Sequence, residues 1–164
     1  MTIHSEHPFV TPPEQRDAVR RFRGRFPAAV TLWLTGSGRR RAGLTISSML
    51  VALGEPARVI GLVDPDSDLA HALEECFTVV LLEPGEHGLA DAFAGLAPAP
   101  GGLFREGFDD SGWGPFKPGH SWAGVRLEST RELGWSREVV GVIEHVHLGT
   151  GAPLVHERGR YRQP

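Results

Sequence analysis

Short apolar runs joined by turns are the feature that most constrains the fold of this chain. β-Branched and aromatic residues concentrate in runs such as 28–35 (AAVTLWLT), 58–63 (RVIGLV) and 77–82 (FTVVLL). Runs of this length bounded by Gly, Pro or Asp are typical of strands, and the pattern predicts about seven of them with two or three short helices. Because short turns join most consecutive strands, we expect antiparallel pairing. Such a sheet avoids exposed edges by closing into a barrel.

The remaining segments complete one domain. Residues 1–12 form a predicted flexible arm, and residues 13–164 form the domain. Thr11-Pro12-Pro13-Glu14 is typical of a helix start. That helix should reach Phe22 or Arg25, with Val19, Phe22 and Phe26 as its buried stripe. Further elements are predicted as strands at 41–47, 121–129, 131–135, 138–148 and 153–156, and as short helices from Asp68 to about Cys76 and over 86–93.

Composition excludes several classes of function. The net charge of −3 gives no general attraction to nucleic acid or to an anionic membrane surface. The single cysteine, Cys76, excludes an intrachain disulfide and fits a reducing cytoplasm, where it is expected to be a small core residue. No apolar run approaches the roughly 18 residues of a membrane helix. The predicted location is therefore cytoplasmic.

A hydroxyl-rich segment, Gly43-Leu44-Thr45-Ile46-Ser47-Ser48-Met49, lies between two of the strand-like runs. Serine and threonine are neutral hydrogen-bond donors, and glycine permits close approach of a ligand to the backbone. Such a bend suits a phosphate oxyanion. The alternative is a plain turn, because the same residue types are common turn formers.

Residues 96–120 follow no helix or strand period and are rich in glycine and proline, with aromatic residues interspersed. A loop of this length in a compact domain is usually functional or disordered, and its aromatic residues argue against disorder. Trp113 and Phe116 could cover a ligand or pack as a satellite core. We predict that residues 98–120 border the ligand.

Other clusters leave alternatives open. Glu144, His145 and His147 could form a metal patch, but a polar strand face is favoured because no third ligand stands at a fixed spacing; no metal is predicted. The run 39–41 (RRR) could meet a phosphate or be an exposed hairpin tip. Arg158 and Arg160 could meet an anionic cofactor or lie in water. Neither a Ser-His-Asp signature nor a phosphate-binding glycine loop is legible, which favours chemistry carried by a cofactor.

The order of motifs resembles the flavin reductase family. The motifs are RFRGRFPAAVT at 21–31, GLTISSM at 43–49, RVIGLV at 58–63, Asp66-Ser67-Asp68 before a short helix, FTVVLL at 77–82, and PLVHERGRY at 153–161. The resemblance covers roughly residues 17–162. It implies an FMN-binding split β-barrel, antiparallel and Greek-key-like, in a homodimer that holds FMN, or FAD, near the subunit interface.

The family's activity implies hydride transfer from NADH or NADPH to the flavin, which often leaves to serve a monooxygenase partner. By position, Thr45, Ile46, Ser47 and Ser48 would line the phosphate and ribityl chain. The resemblance also places Leu62, Val63 and Asp64 near the isoalloxazine edge, with Ser67 as a further phosphate donor.

The chain departs from the family pattern before the strand at 138–148. Many members have Asp-His there, whereas this chain has Gly134-Trp135-Ser136-Arg137. Because that histidine often lies near the nicotinamide or the flavin ring, the catalytic residues stay unassigned. Two alternatives remain: a non-enzymatic flavin-binding protein acting as carrier or sensor, and a split-barrel oxidoreductase that uses a deazaflavin.

Overall fold

A computed structural model describes residues 17–162 and shows a mainly β architecture with short helices. The helices are α1 (Ala18–Arg23), α2 (Asp68–Ala72) and α3 (His87–Phe93). The strands are β1 (Ala28–Ala29), β2 (Thr31–Thr35), β3 (Ala42–Ile46), β4 (Met49–Ala52), β5 (Arg58–Val63), β6 (Cys76–Leu81), β7 (Asp109–Asp110), β8 (Pro115–Phe116), β9 (Trp122–Leu133), β10 (Ser136–His147), β11 (Val155–Glu157) and β12 (Arg160–Arg162).

The main sheet has seven strands in the order β3-β2-β6-β9-β10-β5-β4, and every pair is antiparallel. Its two edge strands, β3 and β4, are consecutive in the chain and are separated only by Ser47 and Ser48. A flat sheet would hold these edges about 29 Å apart, whereas three residue steps span at most about 11 Å. The sheet must therefore curl into a half-barrel, which confirms the predicted split-barrel fold.

Strand β2 (TLWLT) is buried along its whole length because both of its faces are covered. Trp33 points into the barrel, where its ring stacks on Phe77 with a centroid distance of 4.8 Å. Gly61 on the opposite wall leaves room for that ring, since a Cβ there would collide with it. Leu32 and Leu34 face the other way and pack in a second core with α3.

That second core also includes the long loop. Phe104, Phe108, Trp113 and Phe116 pack against the cluster that contains Phe93 and Trp122. Most of these rings meet edge to face, for example Phe93 with Phe104 at 5.1 Å. The aromatic residues of the loop are thus a satellite core in this chain, which was one of the two interpretations of the sequence.

Several predicted elements have different bounds in the structure. Helix α1 begins after the N-cap Asp17, and the predicted start at Thr11 lies outside the described residues. The stripe predicted to be buried is exposed: Val19 by 76%, Phe22 by 65% and Phe26 by 58%. Helical periodicity predicted an apolar face here, but the rest of the described chain leaves these three side chains mostly exposed.

Three further differences concern strands. Residue 76 opens β6 instead of ending a helix. The runs 121–129 and 131–135 form a single twelve-residue strand, β9, because pairing with β10 continues through the polar residues between them. Strand β12 was not predicted; it pairs with β11 across the turn at Arg158 and Gly159, so Arg158 lies in a turn and does not share a strand face with Arg160.

Candidate functional site

A cavity of about 660 Å³ lies where the half-barrel closes. We call it the main cavity. Helix α1, the hydroxyl segment between β3 and β4, the end of β5 and the tip of the β9–β10 hairpin surround it. Its lining residues are Asp17, Val19, Arg20, Arg23, Leu44, Thr45, Ile46, Ser47, Ser48, Leu62, Asp64, Trp135 and Ser136.

A secondary cavity of about 320 Å³ lies beside it. It extends toward the β11–β12 hairpin and is lined by Arg20, Arg23, Gly24, Phe26, Ala28, Ser47, Ser48, Leu62, His156 and Gly159. Arg20, Arg23, Ser47, Ser48 and Leu62 line both cavities, so these five residues form the junction between them.

Within the hydroxyl segment, Ser47 and Ser48 carry the hydroxyl groups available to a ligand. Neither side chain hydrogen-bonds to another residue within 17–162, and the backbone of Ser48 is fixed because its carbonyl accepts from Leu62 N at 2.9 Å. Thr45 differs: its hydroxyl donates to Ala90 O at 2.5 Å, and the residue is only 3% exposed. The hydroxyl of Thr45 therefore fixes α3 to the barrel.

Gly43, which the sequence suggested as a point where a ligand approaches the backbone, has a packing role. A Cβ at this position would lie 2.8 Å from Phe93 Cε1 and would also contact Leu34. The glycine thus allows α3 to pack closely on β3. Packing explains this residue without a ligand.

The structure brings six of the eight predicted site residues together around the main cavity: Thr45, Ile46, Ser47, Ser48, Leu62 and Asp64. Val63 points the other way, into the barrel core, and is fully buried. This follows from strand alternation, since its neighbour Leu62 faces the cavity.

Ser67, predicted as a phosphate donor, lies outside the lining. Its hydroxyl donates to Asp64 O at 2.7 Å and accepts from Ala70 N at 3.1 Å. Ser67 is therefore the N-cap of α2, the ordinary role of a serine before a short helix.

Two arginines that sequence reasoning did not assign line both cavities. Arg20 and Arg23 are three residues apart on α1 and so share one helix face. The three-residue spacing of these arginines was the feature of the sequence that could have identified them. The predicted basic run is elsewhere: Arg41 pairs with Asp110 at 2.9 Å, and Arg39 and Arg40 are exposed in a short 3-10 helix.

The tip of the β9–β10 hairpin places Trp135 and Ser136 at the mouth of the main cavity. The Trp135 ring is 87% exposed, and the Arg20 guanidinium carbon lies 5.9 Å from its centroid. None of the residues found to line this cavity in the described chain is a histidine. A large aromatic residue thus stands in the segment where the resemblance predicted Asp-His.

Neither cavity, as described over residues 17–162, is lined by a residue from 98–120. Trp113 instead stacks on His145 at 5.2 Å, and its indole N–H donates to Glu144 at 3.0 Å. That hydrogen bond, together with Arg126, lowers the pKa of Glu144. Residues 98–120 were expected to border the ligand, but they do not line either of these two cavities.

The polar residues of β10 make contacts within the protein. Glu144 is engaged by Trp113 and Arg126, and His145 lies against aromatic rings. Among residues 17–162 no group of three potential metal ligands was found.

Burial raises the pKa of the Cys76 thiol. No helix in the described range is long and apolar enough to cross a membrane.

Comparison with known proteins identifies the family. A family model described as "Flavin reductase like domain" matches residues 23–164. The chain therefore belongs to the flavin reductase-like domain family, which confirms the resemblance predicted from the sequence. No curated protein sequence matches the chain significantly.

Solved structures share the fold across nearly the whole chain. The Streptomyces globisporus C-1027 NADH:FAD oxidoreductase SgcE6 superposes with a TM-score of 0.80 at 22% identity, covering 96% of this chain and 97% of that one. Flavin reductase PheA2 gives 0.78 at 19% identity over 91% and 99%. BorF, the flavin reductase component of a bacterial two-component tryptophan halogenase, gives 0.78 at 20% identity over 88% and 95%.

Proposed function

We propose that this chain is an NAD(P)H-dependent flavin reductase that transfers hydride from reduced nicotinamide to FMN, with FAD as the other candidate flavin. The main cavity carries this proposal. It combines apolar walls with two unengaged serine hydroxyls and two arginines at one end. That donor set fits a planar apolar ring joined to a phosphate. Family membership supports the same activity.

The residues around the cavity divide by chemistry. Ser47 and Ser48 donate hydrogen bonds to the phosphate, and Arg20 and Arg23 supply positive charge. Leu44 and Leu62 form the apolar walls, and Trp135 limits water at the mouth. When bound, the flavin supplies the redox chemistry, taking a hydride from NAD(P)H and a proton from solvent. The protein binds and orients the two reactants.

We further propose a homodimer. Val19, Phe22, Phe26, Leu62 and Trp135 are between 38% and 87% exposed around the mouths of the two cavities. Apolar residues grouped in this way mark an interaction surface, and a two-fold dimer is the commonest assembly that covers one. The flavin would then lie near the subunit interface.

A partner enzyme and a location follow from the same proposal. Reduced flavin that dissociates can supply a monooxygenase, and BorF is the reductase component of such a two-component system, a tryptophan halogenase. The single cysteine fits a cytoplasmic location. The partner enzyme and the cellular location are proposals, and neither changes the reaction assigned to the cavity.

One assay tests the activity. The purified protein is mixed with FMN or FAD, and the oxidation of NADH and of NADPH is followed by absorbance. We expect flavin-dependent oxidation of at least one nicotinamide. Oxidation no faster than in a mixture without protein, at flavin concentrations shown to saturate binding, would contradict reductase function.

The replacement of the family's Asp-His by Trp135 and Ser136 favours one alternative, a flavin-binding carrier or sensor without turnover. Flavin binding with no nicotinamide oxidation would indicate that function. A second alternative, a deazaflavin-dependent oxidoreductase, is distinguished by the visible absorption spectrum of the freshly purified protein.

A further inference from the structure

A basic region stands out on a chain that is acidic as a whole. Residues 17–27 and 155–162 together carry seven arginines and two carboxylates, which gives these two segments a net charge of +5. Because the net charge of the whole chain is −3, all other residues together carry −8. The two segments are in contact, since Arg158 N donates to Gly24 O at 2.9 Å. Their positive charges therefore act together.

All seven of these arginines are exposed, and we call the surface that they form the basic rim. Its members are Arg20, Arg21, Arg23, Arg25, Arg158, Arg160 and Arg162. Arg20 meets Asp17 at 3.7 Å, and Arg162 pairs with Glu157 at 2.5 Å. The other five form no ion pair with a residue in 17–162. Most of the rim therefore keeps its full charge.

The arginines of the main sheet are arranged differently. Arg58, Arg126 and Arg131 each pair with a glutamate of another strand, at distances of 2.7, 3.1 and 2.8 Å. Carboxylates thus neutralise these guanidinium groups, whereas the rim gathers like charges that repel one another. Such an arrangement is typical of a surface that meets an anion.

The basic rim lies at the opening of the secondary cavity and of its junction with the main cavity. Arg20 and Arg23 line both cavities. Arg25 stands between two residues that line the secondary cavity, and Gly159, which also lines it, stands between two further arginines of the rim. Neither Arg25 nor Arg160 lines a cavity itself. These two side chains are therefore placed to act on a ligand before it enters.

The charge of the ligand decides whether such a surface matters. A terminal phosphate carries roughly −1.5 to −2 at pH 7, so a chain with a net charge of −3 would repel a flavin nucleotide at long range. A local positive potential reverses that repulsion within about 8 Å, the screening length at physiological ionic strength. Charges beside a site, in contrast to those that contact the ligand, change the association rate and leave dissociation nearly unaltered.

We propose that the basic rim steers phosphorylated flavin from solution into the main cavity. Arg25 and Arg160 raise the association rate without contacting the bound flavin, whereas Arg20 and Arg23 also hold it. This inference rests on the proposed function, which places a flavin in the main cavity. It identifies the ligand of the rim as a flavin that carries phosphate, since riboflavin has no charge for the potential to attract.

The first test compares FMN with riboflavin on the parent protein. Association and dissociation rate constants are measured by stopped-flow flavin fluorescence at several salt concentrations. We expect the FMN association rate to fall about tenfold between roughly 20 and 300 mM salt, and the riboflavin rate to stay constant. An FMN association rate that is as insensitive to salt as that of riboflavin would overturn the inference.

The second test removes charge from the rim alone. Arg25→Gln/Arg160→Gln should lower the FMN association rate about three- to tenfold at low salt. Its FMN dissociation rate and its riboflavin rates should match those of the parent. The matched control is Arg39→Gln/Arg40→Gln, which removes the same charge from exposed residues just before β3, whereas Ser47 follows the other end of that strand. An equal fall in the control would show that only net charge matters, and the rim would have no specific role.

Dissociation rates separate steering from direct contact. Arg23→Gln, which changes a lining residue, should raise the FMN dissociation rate. If Arg25→Gln/Arg160→Gln raises that rate instead of lowering association, the two residues contact the bound flavin and steering is wrong. Unchanged riboflavin rates and melting temperature show that a variant is folded, and if it is not, the salt dependence of the parent decides.

The outcomes also separate this inference from the proposed function. If neither FMN nor riboflavin binds to the parent, the proposed function fails together with the steering surface. If FMN binds and is reduced by NAD(P)H, but its association rate is unaffected by salt and by the loss of Arg25 and Arg160, only the steering surface fails.

Discussion

At the residue scale, the site depends on which hydroxyls are already engaged. Three hydroxyl residues stand within four positions of the segment 45–48, yet Thr45 is bound to Ala90 O and buried. Of these three residues, Ser47 and Ser48 keep hydroxyls that are not bound to another residue in 17–162. The difference arises because Thr45 is still in β3, facing α3, whereas the two serines form the link between the sheet edges.

The first prediction concerns these two serines. The double variant Ser47→Ala/Ser48→Ala removes donors that together contribute about 1–3 kcal/mol, so flavin affinity should fall roughly ten- to hundred-fold. Fluorescence titration with FMN and FAD measures the change. Ser37→Ala is the control, because Ser37 lies at a distant hairpin and makes no side-chain cap. Unchanged affinity in the double variant would remove the phosphate assignment.

The second prediction concerns a glycine of the barrel interior. Gly61→Ala places a Cβ against the Trp33 ring, which is itself stacked on Phe77. Overpacking of this kind typically costs about 1–3 kcal/mol, so the melting temperature should fall. Gly88→Ala is the matched control, because no atom lies within 4 Å of its added Cβ and alanine favours the helix it occupies. Equal melting temperatures for the two variants would be inconsistent with this packing.

At the element scale, hydrophobic periodicity and burial disagree in opposite ways for the long loop and for helix α1. The loop 96–120 has no regular period, yet its aromatic rings pack tightly on α3 and β9. Helix α1 has a clear apolar period, yet its apolar residues are exposed. Periodicity describes the surface that an element offers, whereas burial depends on which neighbour reaches it.

The packing of the loop leads to the third prediction. Trp113→Ala should lower the free energy of unfolding, by less than the roughly 3–5 kcal/mol typical of fully buried aromatic residues, because Trp113 is only partly buried. Flavin affinity and NAD(P)H oxidation per folded molecule should stay near the parent values. Thermal melting and steady-state kinetics on one preparation measure both. A large change in KM with an unchanged melting temperature would restore the interpretation that Trp113 covers a ligand.

At the scale of the whole molecule, curling of the sheet creates the site. The edges β3 and β4 meet through two residues, and α1 and the β9–β10 hairpin tip surround the gap. Five exposed apolar residues lie around the same gap, so an interface there would be continuous with the cavity; they are Val19, Phe22, Phe26, Leu62 and Trp135.

The fourth prediction follows from that arrangement. Light scattering at micromolar concentration should give the mass of a dimer for the parent chain. Phe22→Asp places a charge on the exposed face of α1 without lining either cavity, and it should shift the protein to monomer.

The control is Leu148→Asp, which changes a residue that is 78% exposed beyond the far end of β10. It should stay dimeric. A monomeric parent chain with flavin still bound would contradict both the dimer and an interfacial site.

The sequence by itself determined the local features. Runs of β-branched residues predicted β2, β5 and β6 because strand preference and burial act over a few neighbouring positions, and the motif order identified the family. Tertiary structure alone decided the rest. It showed that Thr45 and Ser67 use their hydroxyls internally and that Val63 faces the core. It also showed that Arg20 and Arg23 line the same cavity as Ser47 and Ser48. These outcomes depend on contacts between residues far apart in the chain, which form only when the sheet curls and brings its two edges together.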